Sequence, residues 1–515
     1  MSTSSINSLL NTLNPSNESI AELLGESTTN NTTTNNQSTD AAVLDAVDAI
    51  LNSATNTSGS GLDVTSTVDA ILELDAEPEE NLQNQATALN SQTSALQTIE
   101  TDLTNLQTAV QALSDPMGAF GDVTVNSSNN DVVSATAATG TAAGSHTIYV
   151  NSLATTSAAY SAPQQYATSA LPTGTLTIQV GSNSADALTV PIDTNSGDPD
   201  TLSALASYIN EQNAGVTASV ITDSSGAVLS LVSQTSGSAG TLHITDTTGG
   251  GNGLGIQMAQ SSPGNDLGTD ASLTVDGVPV TSGSNTVTGV IPGVTLTLSG
   301  TSSDPVTLDI QPDLTDVSDG INNFVSAWNQ LMDDINAQNT YSGTGTAPPL
   351  LGDPSLDLIQ SQLLNDIATS LSGNGAAVNL QSIGIHLQED GTLTTTPAVP
   401  PDSMDLNDAL ANDFSAVQNL FQSTSPAGVA QTLNNDLTNL TDPVNGPLNL
   451  DMSSISSQES SLNDQISEFQ YQLQQTQAQL TSEYATINTT LEQLPETLNS
   501  INQQLNALNP PNQNT

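Results

Sequence analysis

The chain has 515 residues, room for about three or four domains of ordinary size, yet only 35% are hydrophobic and 3% aromatic, so its cores are modest. It contains no Lys or Arg against 53 Asp and Glu, a formal charge of −53 at pH 7; such a chain cannot neutralise nucleic-acid phosphates, and anionic membrane surfaces repel it. Cysteine is absent, which removes disulfides, thiolate nucleophiles and Cys-based metal sites together.

Residues 1–25 carry two short apolar stripes, Ile6/Leu9/Leu10/Leu13 and Ile20/Leu23/Leu24, broken at Pro15. The start has neither the basic segment nor the apolar core of a cleaved signal peptide, so the chain is expected either to stay inside or to leave by a route that reads an uncleaved N-terminus. The Thr/Asn run from Ser27 to Thr39 reads as a linker. Asp40 is placed to cap a short helix with the stripe Val43/Leu44/Val47/Ile50/Leu51. The string Val-Asp-Ala-Ile-Leu at 47–51 recurs at 68–72 on a second amphipathic pattern.

From Leu82 the period becomes strict. Leu82, Leu89, Leu96, Leu103 and Val110 recur every seven residues, with Ile99, Leu106 and Leu113 at the second heptad position. This is the pattern of helices that pack side by side, and Asp115-Pro116-Met117-Gly118 ends it. Across 120–312 the heptads vanish, and short Val/Ile/Thr/Leu runs alternate with Gly, Ser, Asn and Asp turns. His146–Val150, Leu176–Val180, Leu273–Val275 and Val294–Leu298 read as antiparallel strands in two subdomains. One helical interruption, Leu202/Leu205/Ala206/Ile209, lies among them.

Helix returns near Val317 with the core-like stripe Ile321/Phe324/Val325/Trp328/Leu331/Met332/Ile335, and further helices are expected over Leu356–Leu371 and Leu406–Phe421. The last begins near Ile455. Ile466, Leu473, Leu480, Ile487, Leu494, Ile501 and Leu508 hold a seven-residue spacing, weakened by Gln470 and Gln477; Pro495 is expected to kink or break this helix. The order is helix, β insertion, helix. The fold class is therefore α+β multidomain, with a discontinuous, coiled-coil-like helical stem from the N- and C-terminal heptad helices and inserted antiparallel β subdomains. No segment is long and apolar enough for membrane insertion.

Catalytic and metal chemistry finds little support. His146, His243 and His386 are isolated on strand-like patterns, and no nucleophile–base–acid spacing, phosphate loop or zinc motif is present. Asp193-x-Asn195-x-Gly197-Asp198-x-Asp200 offers oxygens as calcium loops do, but its glycine falls one place early and Ala204 stands where the bidentate Glu belongs. An ordinary polar turn is the better reading. No enzyme, cofactor or metal is expected.

The charge imbalance comes from missing bases, since acids are about one residue in ten, as in ordinary proteins. At pH ~2 such a chain carries almost no net charge. This predicts an acid-adapted protein outside the cell, melting higher near pH ~3 than near pH ~7; protease evasion and engineering stay open. Five acid-labile Asp-Pro pairs count against it, among them Asp115-Pro116 and Asp353-Pro354.

The ends and several internal strings resemble one family. Gly59-Ser60-Gly61-Leu62-Asp63-Val64, then Val68–Leu74 and Pro78, resembles the opening of the flagellar hook-associated protein 2 family, the filament caps. Ala143–Ala154 is similar to its first β segment. Residues 202–236, with Tyr208-Ile209-Asn210 and Gly215–Val220, resemble a motif shared with flagellins and hook proteins. Leu273–Gly277, Val290–Leu296, Phe324–Asn329, Leu350–Asp353, Ile383–Ile385 and Asp390–Leu393 fit the C-terminal half.

The resemblance implies a secreted structural protein of the bacterial flagellum, exported uncleaved. It would form a homo-oligomeric ring at the filament tip that promotes flagellin incorporation and prevents its loss. Implied partners are the chain itself, flagellin, hook–filament junction proteins and an export chaperone of the flagellar type III system. An extracellular adhesin or other surface-filament subunit is the alternative.

By correspondence, 1–55 is an extension, partly disordered, and 56–75 a terminal leg segment. Residues 76–119 form a stem helix, 120–312 the β plate, 313–489 the rest of the stem, and 490–515 a terminal leg helix and tail. The residues expected to carry leg and stem packing are Leu62, Val64, Val68, Ile71, Leu72, Leu89, Leu96, Leu103, Val110, Leu473, Leu480, Ile487, Leu494, Ile501 and Leu508.

Overall fold

A computed structural model describes residues 63–194, 197–259, 268–395 and 405–508. The stripes of residues 1–25, the Thr/Asn linker, the helix after Asp40 and Leu62 lie outside the described residues.

In chain order, α1 (Val64–Asp75) and α2 (Glu77–Ser114) are followed by β1 (Val123–Ser127), β2 (Val133–Ala137), β3 (Gly144–Ser152), β4 (Thr156–Tyr160), β5 (Gly174–Val180) and β6 (Leu188–Ile192). After α3 (Leu202–Glu211) come β7 (Val216–Asp223), β8 (Gly226–Ser236), β9 (Leu242–Asp246), β10 (Gln257–Met258), β11 (Ala271–Val275) and β12 (Val278–Ser282). Next are β13 (Thr286–Thr288), β14 (Val294–Leu298) and β15 (Val306–Pro312). The last stretch is α4 (Leu314–Asn339), α5 (Pro354–Ile367), β16 (His386–Leu387), β17 (Leu393–Thr394), α6 (Leu406–Gln422), α7 (Val429–Leu440) and α8 (Pro447–Leu508). The chain is thus α+β, and the described residues divide into two compact units: residues up to Ala95 with those from Asp451, and Leu96–Leu450.

Among the described residues every strand pairing is antiparallel, and two β cores form within Leu96–Leu450. The first lies between a five-stranded sheet, β1-β15-β3-β11-β12, and a three-stranded one, β13-β14-β2; Ile148, Val150, Leu273, Leu296 and Leu308 meet there. The second joins β10-β4-β8-β7, β6-β5-β9 and α3 around Leu176, Ile178, Leu205, Ile209, Leu229 and Leu231. In β8 burial alternates with the two-residue period of a half-buried strand.

The hairpin from β11 to β12 turns on Asp276-Gly277, with φ of +52° and +83°. Only residues tolerant of the left-handed region fit such a turn, which is the reason for the Asp-Gly pair. Gly226 opens β8 at φ +129°, where an added Cβ would sit 2.3 Å from the Gln164 carbonyl oxygen.

The same unit holds the helical domain. The stripe of α4 is its core: Val317, Ile321, Phe324, Trp328, Leu331, Met332 and Ile335 are buried. Val110, Leu113, Phe324, Phe421, Val429, Ala430 and Leu433 pack together. Asp313, Asp353 and Asp405 cap α4, α5 and α6, each accepting backbone N–H bonds, and Pro354 at the start of α5 gives up only an amide that a helix start leaves free.

Three expectations need correction. Helix α5 ends at Ile367, not Leu371, and α8 starts at Pro447, not near Ile455. The third concerns Pro495, through which α8 runs unbroken for all its 62 residues. Proline there removes one hydrogen bond to the Leu491 carbonyl, a cost of about 3 kcal/mol, but intact ladder on both sides holds the helix together.

Candidate functional site

The two terminal segments meet in one seam. Asp63 caps α1: its carboxylate accepts from the Ser66 N–H at 3.2 Å and the Ser66 hydroxyl at 2.8 Å, which holds its pKa below the ordinary value. The cap starts a helix that buries Val68 and half-buries Val64, Ile71 and Leu72.

The first half of α2 runs antiparallel to α8. Gln470 donates to Glu79 at 2.6 Å, and Thr93 donates to Glu459 at 3.4 Å, so rising numbers on α2 meet falling numbers on α8. Gln470, which the heptad pattern marks as a weak point, therefore contributes an amide contact where another chain would use a salt bridge. An open groove of about 840 Å³ lies beside it, lined by Leu72, Glu73, Glu79, Gln470, Tyr471 and Leu473.

Burial declines steadily along α8. Ile455 and Leu462 are buried; Ile466, Phe469, Leu473, Leu480 and Tyr484 are half-buried. Beyond them Ile487, Leu491, Leu494, Leu498, Ile501 and Leu505 are all exposed, at 40–57% of their full surface. Their spacing of four, three, four, three and four residues is that of a heptad seam. About twenty residues of helix thus carry an apolar row that the described residues leave uncovered.

The expected packing residues separate into three groups. Leu96, Leu103 and Val110 are fully buried in the helical domain. Val64, Val68, Ile71, Leu72, Leu89, Leu473 and Leu480 lie at the seam, buried or half-buried. Ile487, Leu494 and Ile501 stand exposed on the last turns of α8, and Leu508 ends that helix with its side chain outside the described atoms. The 3.5-residue period runs unchanged through all three groups, so it does not distinguish a side chain packed inside the subunit from one left exposed.

Several strings singled out in the sequence prove to be side-chain clamps. Trp328 donates its indole N–H to the Gly391 carbonyl at 2.9 Å, and the Asn329 amide both donates to the Leu393 carbonyl at 2.7 Å and accepts from the Leu393 N–H at 2.6 Å. Phe324–Asn329 thereby fixes the Asp390–Leu393 turn. Asn210 grips Ala218 in the same two-bond manner, at 2.8 Å each way. Asn285 holds Ala154 likewise, a clamp that sequence reading missed because its two residues lie 131 positions apart.

His146 Nδ1 sits 2.7 Å from Asp276, whose other oxygen accepts the Thr147 N–H at 2.8 Å. The histidine contact, then the backbone bond, lower the Asp276 pKa. His243 is exposed on β9, and His386 lies on β16. Of the calcium-like string, residues 195–196 lie outside the described residues. No group of three or more potential metal-ligating side chains occurs among the described residues.

Comparison with known proteins agrees with this layout. The model for the flagellar hook-associated protein 2 N-terminus matches residues 60–157, that for its C-terminus residues 268–496, and that for the flagellin hook IN motif residues 175–235. The B-type flagellar hook-associated protein 2 of Pseudomonas aeruginosa is 29% identical over 368 residues, 68% of this chain and 75% of that protein. The flagellar hook-associated protein 2 of Campylobacter jejuni is 34% identical over 155 residues, 27% of this chain and 22% of that protein. Among solved structures, the D1-D2-D3 domains of the flagellar cap protein FliD from Escherichia coli superpose with a TM-score of 0.51 at 28% identity, covering 70% of this chain and 99% of that one. With the family's N-terminal and C-terminal parts matched in order and the hook IN motif between them, this chain belongs to the flagellar hook-associated protein 2 family, the structural cap proteins of the bacterial flagellum.

Proposed function

We propose that the chain works as a closed ring of identical subunits at the flagellar tip, standing on legs made by residues 56–75 and 490–515. The β region 120–312 forms the plate, and 76–119 with 313–489 the stem. Incoming flagellin is held and placed beneath the plate, and hook–filament junction proteins are the first surface on which the cap sits. The chain reaches that position uncleaved, through the flagellar type III route and with the help of an export chaperone.

The observation that carries this reading is the row from Ile487 to Leu505, an apolar heptad face that the described residues leave uncovered. Filament subunits are the cover this reading assigns to that row. Electron microscopy of the purified chain from pH ~3 to pH ~7 tests it: closed single or double rings are expected. Monomers or open fibres at every pH would overturn it.

A further inference from the structure

The helical domain contains two acids that its hydrogen bonds do not explain. Asp102 on α2 is 7% exposed, between the fully buried Ile99, Leu103 and Leu106; Asp366 on α5 is 8% exposed, next to Leu363 and Ile367. Each leaves its Oδ2 buried with no donor directed at it. A buried carboxylate oxygen without a donor costs several kcal/mol, and the usual remedy is an Arg or Lys. The chain has neither.

The group acting on each is another carboxyl. Asp334 on α4 faces Asp102, and Asp436 on α7 faces Asp366. Two carboxylates are both acceptors and repel each other. One proton turns the pair into a donor and an acceptor, so that a carboxyl no longer stands buried among acceptors alone. The other acids on the packed helices, Asp316, Asp319, Asp333, Asp357, Asp408 and Asp413, are exposed or half-exposed, as is Glu100 on α2 itself. Of the titratable groups, Asp334 acts on Asp102 and Asp436 on Asp366.

We propose that the helical domain holds two protons as structural ligands, one shared by Asp102 and Asp334 across α2 and α4, the other by Asp366 and Asp436 across α5 and α7. They take the place of buried salt bridges in a chain without bases, and the domain loosens when they leave. Burial, aided by the facing carboxyl, pushes Asp102 up to about 6 and Asp366 up to about 7, from 3.8. Both are then protonated when folded and ionised when unfolded, so the folded state binds more protons. The stabilisation is complete below the unfolded value and disappears as pH rises through about 6 and about 7.

The test compares the full chain with the double variant Asp102→Asn, Asp366→Asn, whose amides donate permanently in place of the protons. Thermal unfolding is followed from pH ~4 to pH ~8 in molar salt, which screens the exposed acids. Over that range the wild-type folding equilibrium should weaken by up to about 100-fold for the first pair and about 1000-fold for the second. The double variant should lose most of this dependence. An equal pH dependence in both proteins overturns the proposal. Should the variant fail to fold, carbon NMR of the wild-type Asp carboxyls decides: two resonances titrating near 6 and 7 support it, and all of them titrating below about 5 refute it.

Discussion

Replacing Leu494 and Ile501 with Gln tests whether the end of α8 is an interface or a poorly packed part of the subunit. Leu494 is 52% and Ile501 47% exposed, so roughly half of each side chain remains to be covered. Complete burial of a Leu or Ile side chain is worth about 1.5–3 kcal/mol, so covering the remainder contributes about 1 kcal/mol each. The double variant should therefore lose about 2 kcal/mol per contact made by this face, roughly a 30-fold drop in the association constant. Its own melting temperature should barely move, because surface substitutions of this kind stay within about 0.5 kcal/mol. Leu103→Ala is the contrasting control: that residue is fully buried in the helical domain and should cost about 2–5 kcal/mol of folding stability. Sedimentation velocity over a concentration series, with melting curves on the same samples, separates the two effects. Unchanged association, or a melting temperature that falls as far as for Leu103→Ala, would refute the reasoning.

Three further outcomes are expected. Trp328→Phe removes the donor to the buried Gly391 carbonyl and leaves a void beside Phe324, so chemical denaturation should show about 2–4 kcal/mol less stability. Asn210→Ala leaves both the N–H and the carbonyl of Ala218 without their side-chain partner; stability should fall by about 2 kcal/mol, with faster amide exchange at Ala218 than in the wild type. Pro495→Ala restores the hydrogen bond to Leu491, and circular dichroism should report greater helicity and an end of α8 that melts later, by up to about 3 kcal/mol of local stability.

Periodicity made much of this fold readable. The heptads of α2 and α8, the apolar face of α4 and the alternation in the strands all follow from burial on one side of a regular element, and each was legible. Helix α7 was missed although Val429, Leu433, Leu437 and Leu440 hold helical spacing, because it is only 12 residues long and its cap residue, Gly428, supplies no side-chain signal. The clamps were half legible. Asn210, Trp328 and Asn329 stood out as members of strings, but what they hold lies 8 to 64 residues away, a distance no local pattern encodes. Least legible were Asp102 and Asp366. In a helix an acid between leucines reads as a solvated position, and only the packing shows that another acid faces it.

The absence of bases acts in opposite directions at the two ends of the acid range. Asp63, Asp390 and Asp442 accept hydrogen bonds from neighbouring hydroxyls or backbone N–H groups, and Asp276 from His146 and Thr147; all four lie below the ordinary value of 3.8. What they contribute is present above that value and lost as pH falls through their lower, folded ones. Asp102 and Asp366 behave oppositely: their contribution is present below 3.8 and lost on the way to about 6 and about 7. The two windows overlap only near pH ~4. The sequence alone suggested that stability would rise toward acid, and the turns and caps impose a limit on that rise. The melting temperature should pass through a maximum near pH ~4 and fall toward both pH ~2 and pH ~8. A curve still climbing at pH ~7 would show that the buried pairs do not control the neutral side, and one highest at pH ~2 would show that the capping carboxylates do not matter. Removing Lys and Arg spares the chain cation repulsion in acid, and its own capping aspartates then set the lowest pH at which the fold holds best.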